Sequence, residues 1–203
     1  MELRGAACQA DRGKPIVPPL IHSRHRELFA AEWVKQHMIE VTGLLGELTG
    51  APVRKRAITN HRALNEAYDY PRPSSFSRGT RVDFNGVVML LISGTASIDE
   101  RGQSVHIGDF RAQTRRTYQN VTALLESEGA TWKDVVRTTC YLRDIERDYA
   151  AFNEERTAFY TAQGLDPLPA STGIQAILCR PELLVEVEAM AIFHPGREAE
   201  RED

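Results

Sequence analysis

The chain has 203 residues, 42% of them hydrophobic and 26% charged, with a formal net charge of -3. This is the composition of a soluble globular protein with room for one domain and an extension, which excludes disordered and fibrous classes. No apolar run reaches the length of a membrane span, the start does not read as a secretory signal, and the acidic balance offers no general attraction to nucleic acid.

Residues 1–19 are rich in Arg, Gly, Pro and Ala, lack periodicity and read as an arm. From Arg24 to Leu48, apolar residues (Leu28, Trp33 or Val34, Met38, Val41, Leu44, Leu45, Leu48) recur at helical spacing between a Ser23 cap and Gly50. Lys55 to Ser77 mixes charges, prolines and tyrosines and reads as a linker with one short helix. Val87 to Ser93 is a short apolar run rich in β-branched residues, the mark of a buried strand. Asp109 caps a helix that turns Phe110, Thr114, Thr117, Val121, Leu124 and Leu125 inward, and Gly129 closes it. Val135 to Leu142 is a second strand. Tyr149 to Gln163 is a second helix, stopped by Gly164, Pro167 and Pro169. Gly173 to Leu178 and Leu183 to Phe193 are further strands around a turn at Arg180-Pro181. The order implies an α+β domain over residues 74–203, a sheet with two helices on one face. An arm and helical extension over residues 1–73 precede it.

Along the last strand, Val185, Val187, Ala189, Ala191 and Phe193 share one face, suited to the helices. Glu186 and Glu188 share the other with Leu184, Met190 and Ile192. Carboxylates on an apolar face suit neither a dry core nor open water, so a subunit interface containing a cleft is expected. The strand at Val135 repeats the pattern, with Arg137, Thr139, Tyr141 and Arg143 opposite Val136, Thr138, Cys140 and Leu142.

The segments PSSFSRGTRV, LLISGTASID, QTRRTYQNVTALLESEGATWKDVVRTTCYLRD, YAAFNEERTAFY, LPAST and LLVEVEAMAIF mark a stretch from about Ser74 to Pro195. In order and spacing this stretch resembles the RidA/YjgF superfamily. The resemblance implies a chorismate-mutase-like fold with a mixed sheet, and a homotrimer with sites at its subunit interfaces. It also implies hydrolysis of amino-acid-derived enamines and imines to keto acids and ammonia. In that family an arginine in a Pro-Ala-Arg-Ser motif holds the substrate carboxylate, and a carboxylate on the last strand serves the attacking water. Here the motif reads Pro169-Ala170-Ser171-Thr172, so Ser171 stands at the arginine's position. Phe76 stands at a tyrosine's position, and Thr95 follows Ser93-Gly94 where glutamine is usual. Ser93, Asn153 and Glu186 match. Within the superfamily the chain also resembles the chorismatases, through Gly94-Thr95-Ala96-Ser97, Gly108-Asp109 and Cys179-Arg180-Pro181-Glu182-Leu183-Leu184-Val185-Glu186. Those enzymes use the glutamate to protonate the enolpyruvyl ether of chorismate and release pyruvate. Their large N-terminal half has no counterpart here beyond the helix from Arg24 to Leu48.

Glu186 is the candidate catalyst, because proton transfer at neutral pH needs a carboxyl raised by partial burial; a solvated or interface-paired glutamate is the plain alternative. Glu188 reads as an interface partner of an arginine. Cys179 is either a nucleophile or a small group shaping the pocket, and Arg180 beside it would point to the opposite strand face. Cys140 reads as core. Arg143, with Tyr141 and Arg137, is the candidate cation for a substrate carboxylate, against a plain interface salt bridge. Ser93, Gly94, Thr95, Ser171 and Thr172 line the expected cavity, and Asn153 and Phe76 enter through the resemblance. No metal site or cofactor is expected. The six histidines show no ligand spacing beyond His22-x-x-His25, and no phosphate loop or dinucleotide fingerprint is present.

The expected protein is a cytoplasmic, reduced homotrimer binding a small carboxylated molecule, with no nucleic-acid or membrane partner. Its chemistry would be hydrolysis or elimination on a carboxylated enol, enol ether or imine, in specialised metabolism. The alternatives are RidA-type deamination with a relocated carboxylate clamp, and a non-catalytic, metabolite-binding regulatory trimer.

Overall fold

A computed structural model describes residues 52–70 and 73–196. The arm, the Arg24–Leu48 helix and Cys8 lie outside the described residues. The described chain belongs to one compact unit beginning at Ala51.

Six strands form one sheet: β1 (Arg54–Ile58), β2 (Gly79–Phe84), β3 (Val87–Ala96), β4 (Val135–Leu142), β5 (Ala170–Gln175) and β6 (Val185–Phe193), in the order β1-β2-β3-β6-β4-β5. All neighbours are antiparallel except β4 and β5, so the sheet is mixed. Two helices, α1 (Phe110–Glu126) and α2 (Ile145–Ala162), accompany it. Among the described residues no helix is long and apolar enough to cross a membrane.

The helix-facing side of β6 carries Val185, Val187, Ala189, Ala191 and Phe193, all buried, as its alternation dictates. Against it α1 packs Tyr118, Val121, Leu124 and Leu125, and Tyr118 stacks on Phe159 of α2 at 4.6 Å between ring centroids. Asp109 caps α1 by accepting from the Ala112 amide, and Asp144 caps α2 from the Arg147 amide. The second cap starts α2 four residues before the expected Tyr149.

Further expectations change. The stretch read as a linker holds β1 and a 3-10 helix at Ala67–Asp69, so the sheet begins before the expected boundary at residues 73–74. β2 joins β3 through a tight turn at Asn85 (φ 48°) and Gly86 (φ 75°), the left-handed pair such hairpins require. β5 starts three residues earlier than expected, immediately after Pro169, and all six of its residues are exposed. On β4 a register shift between Val135 and Arg137 leaves Val136 exposed, where strict alternation would place it under the helices.

Candidate functional site

The site begins at a bulge. Ile92 pairs with Ala189 and Thr95 with Val187, so Ser93 and Gly94 together oppose Glu188. Gly94 offers no side chain there, and a Cβ on it would collide with the Glu186 carboxylate. Glu186 therefore lies close against β3, in a cleft of about 670 Å³ whose walls include Phe76, Gly94, Cys179 and Glu186. It is half-buried and has no hydrogen-bond partner among the described residues. Burial first, and then the charge of Glu188, raise its carboxyl above the ordinary 4.5. Glu188 accepts from the Tyr141 hydroxyl at 2.9 Å, a tyrosine in place of the expected arginine.

Two arginines stand on the cleft's other walls. Arg78 is only 2% exposed, and its Nε and Nη2 donate to the Asn65 carbonyl at 2.8 and 2.6 Å. Its guanidinium lies 5.1 Å from the Tyr70 ring centroid and 5.6 Å from that of Phe76. Burial lowers the Arg78 pKa; the nearby charge of Glu66, itself fully buried, opposes that, and Arg180 adds to it. Arg180 lies over the same tyrosine at 5.1 Å, with Nη1 donating to the Gly102 carbonyl at 2.7 Å and to Ser104 Oγ at 3.2 Å. Gly102, at φ +76°, leaves room for Tyr70: a Cβ there would overlap the ring. Glu182 accepts from Ser104 Oγ at 2.7 Å, which holds its carboxyl below the ordinary range. Behind this loop the buried Gln113 of α1 donates to the Glu182 carbonyl and accepts from the Leu184 amide.

Arg143 does not enter the cleft as a free cation. Its Nε donates to the Leu183 carbonyl at 2.6 Å, and its Nη2 donates to the carbonyls of Arg180 at 2.6 Å and Leu178 at 3.4 Å. It straps the loop that carries Cys179 and Arg180. Both of those residues line the cleft, because residues 179–182 form a turn and the alternation of a strand does not apply.

The other expected residues are dispersed. Ser93 Oγ donates to the Ser77 carbonyl, and Ser93 borders a second depression of about 340 Å³ with Arg137, Thr139 and Glu188. Thr95 is buried, its hydroxyl spent on the Ser93 carbonyl. Ser171 accepts from Thr138 Oγ1 at 3.0 Å and from Arg156 Nη1 at 3.2 Å. Asn153 accepts from Arg156 Nη2, and Thr172 is exposed on β5. Cys140 is buried and its thiol is raised by burial. Among the described residues no three His, Cys, Asp or Glu side chains gather to hold a metal. Sequence reasoning missed Tyr70 and Arg78 as cleft residues, and weighed Arg180 only as a neighbour of Cys179. Arg78 carried a signal, since it lies inside the segment PSSFSRGTRV.

A sequence profile described as Endoribonuclease L-PSP matches residues 73–193. A RutC family protein of Pyrococcus abyssi is 31% identical over 102 residues, covering 50% of this chain and 76% of that protein. The 3-aminoacrylate deaminase RutC of Acinetobacter baylyi is 31% identical over 103 residues, covering 51% of this chain and 78% of the deaminase. The crystal structure of the Escherichia coli YjgF gene product superposes with a TM-score of 0.55 at 26% identity, covering 68% of this chain and 98% of that one. The sheet and its two helices are thus shared along nearly the whole of a much shorter protein, and the chain belongs to the RidA/YjgF superfamily.

Proposed function

We propose that the protein is an enzyme in which Glu186 acts as general acid and base on a small carboxylated enol, enol ether or imine. One observation carries this reading: a half-buried carboxyl, raised by burial and without a hydrogen-bond partner among the described residues, shares a cleft with Cys179. Such a carboxyl holds a proton closer to neutral pH and delivers it to carbon. On an enol ether, Glu186 protonates the terminal alkene carbon. Water then adds to the oxocarbenium carbon and returns a proton to Glu186, and the hemiketal collapses to a keto acid and an alcohol. Chorismatase-like release of pyruvate is the sharpest form of this reading.

The identity to a 3-aminoacrylate deaminase favours a second form, on an enamine or imine. Protonation of carbon gives an iminium, water adds, and ammonia leaves with a keto acid as the other product. In both forms the assembly is a homotrimer with sites at subunit interfaces, working in the reduced cytoplasm. The serine at position 171 favours a dedicated substrate, as in specialised metabolism.

The test is release of pyruvate and ammonia from chorismate and, separately, from freshly generated 2-aminoacrylate. Glu186→Gln is expected to lower turnover by about 10²- to 10⁴-fold with the fold intact. Undiminished turnover would make Glu186 structural. No product from either compound would favour a metabolite-binding trimer without catalysis.

A further inference from the structure

We infer that Arg180, backed by Arg78 and Tyr70, forms the carboxylate-binding subsite of the Glu186 cleft. This rests on the reading of the substrate as carboxylated, and it names the cation that serves in place of an arginine at position 171.

Arg180 commits only Nη1, to Gly102 and Ser104. Its Nε and Nη2, the edge that matches the two oxygens of a carboxylate, have no partner among the described residues. Arg78 spends Nε and Nη2 on Asn65 and leaves Nη1 uncommitted among them. Both guanidiniums lie 5.1 Å from the centroid of one tyrosine ring, both line the cleft, and the charge of Arg180 acts on Arg78. Two cations on the wall of one cleft favour an anionic ligand in it. The Tyr70 hydroxyl is buried and unpartnered among the described residues, a polar group on the same cleft-lining side chain that both arginines face.

The cleft's own carboxylates do not fill this role. Glu182 is bonded to Ser104 and feels the charge of Arg180 without a salt bridge to it, and no hydrogen bond or salt bridge joins Glu186 to either arginine. Glu66, whose charge acts on Arg78, is fully buried and does not line the cleft. The strap from Arg143 to the Arg180 and Leu183 carbonyls fixes the turn before any ligand arrives, so the fork of Arg180 is held in advance. A ligand carboxylate seated there has its remaining atoms in the same cleft as Glu186.

The full chain titrated calorimetrically with benzoate and with uncharged benzamide tests the assignment. The wild type is expected to bind benzoate and to discriminate against benzamide. Arg180→Gln is expected to weaken benzoate on the order of ten- to a hundredfold. Arg180→Lys should restore part of that loss, because the charge returns without the planar fork. Glu186→Gln should keep benzoate affinity while losing turnover. Unchanged benzoate affinity in both Arg180 variants, or a wild type that does not prefer benzoate, would overturn the subsite. Normal binding by Arg180→Gln with turnover lost in Glu186→Gln would sink the subsite and spare the acid-base reading. Lost binding in Arg180→Gln with normal turnover in Glu186→Gln would do the reverse.

Discussion

A carboxyl on a largely apolar strand face destabilises the folded chain when it ionises, and Glu186 sits in that position with Glu188 two residues away. Its folded pKa lies above the ordinary 4.5, so the folded state holds this proton more tightly than the unfolded state does. The stability linked to that proton is fully present below the unfolded value and is lost as pH rises through the folded one. Glu186→Gln should therefore melt at a higher temperature than wild type at pH 7, with the difference closing below about pH 4 as both side chains become neutral. Equal differences at both pH values would show that burial is not what perturbs this group. The glutamate's place was legible because β6 alternates cleanly. Its contact with Gly94 was not, since a bulge is a property of two paired strands and leaves no mark on either alone.

Elements with a strong period were readable and those without one were not. β3, β4, β6 and α1 each carry an apolar pattern that only one conformation can bury. β1 is Arg-Lys-Arg at an exposed edge, where charge discourages pairing with other chains and erases the alternation that would identify a strand. β5 begins earlier than its apolar residues suggest, because all six of its residues are exposed and hydrophobicity does not fix its start. The Asn85-Gly86 pair, by contrast, was a hairpin signal in plain view. The loop at residues 178–183 departs furthest from its sequence pattern, because strand alternation points Arg180 away from Cys179 whereas the turn puts both on the cleft wall. Arg143→Met keeps an unbranched apolar stem and removes the donors to three carbonyls. It should destabilise the protein by about 2 kcal/mol and speed amide exchange in that loop. A substrate clamp would behave otherwise, losing ligand affinity while stability and exchange stayed at wild-type levels.

At the scale of the molecule, the helix-free face of the sheet leaves apolar side chains open among the described residues. Leu91 and Ile192 are each 38% exposed there, and Ile177 near the end of β5 is 95% exposed. β5 itself pairs in parallel with β4, yet both its faces are open; parallel strands are normally covered on both sides. Ser171 and Thr172 lie on this same strand, away from the cleft, so a site drawing on them would need a neighbouring subunit to bring them to it. A closed ring of three copies of a 22.8 kDa chain would cover these surfaces and sediment as a particle of about 68 kDa. Leu91→Arg places a charge on the exposed face of β3 without touching the cleft's lining. It should yield a folded species of single-chain mass with greatly reduced turnover if the subunits complete one another's sites. A variant that becomes monomeric and keeps full turnover would place the whole site within one chain, and a wild type that sediments as a monomer would remove the trimer altogether.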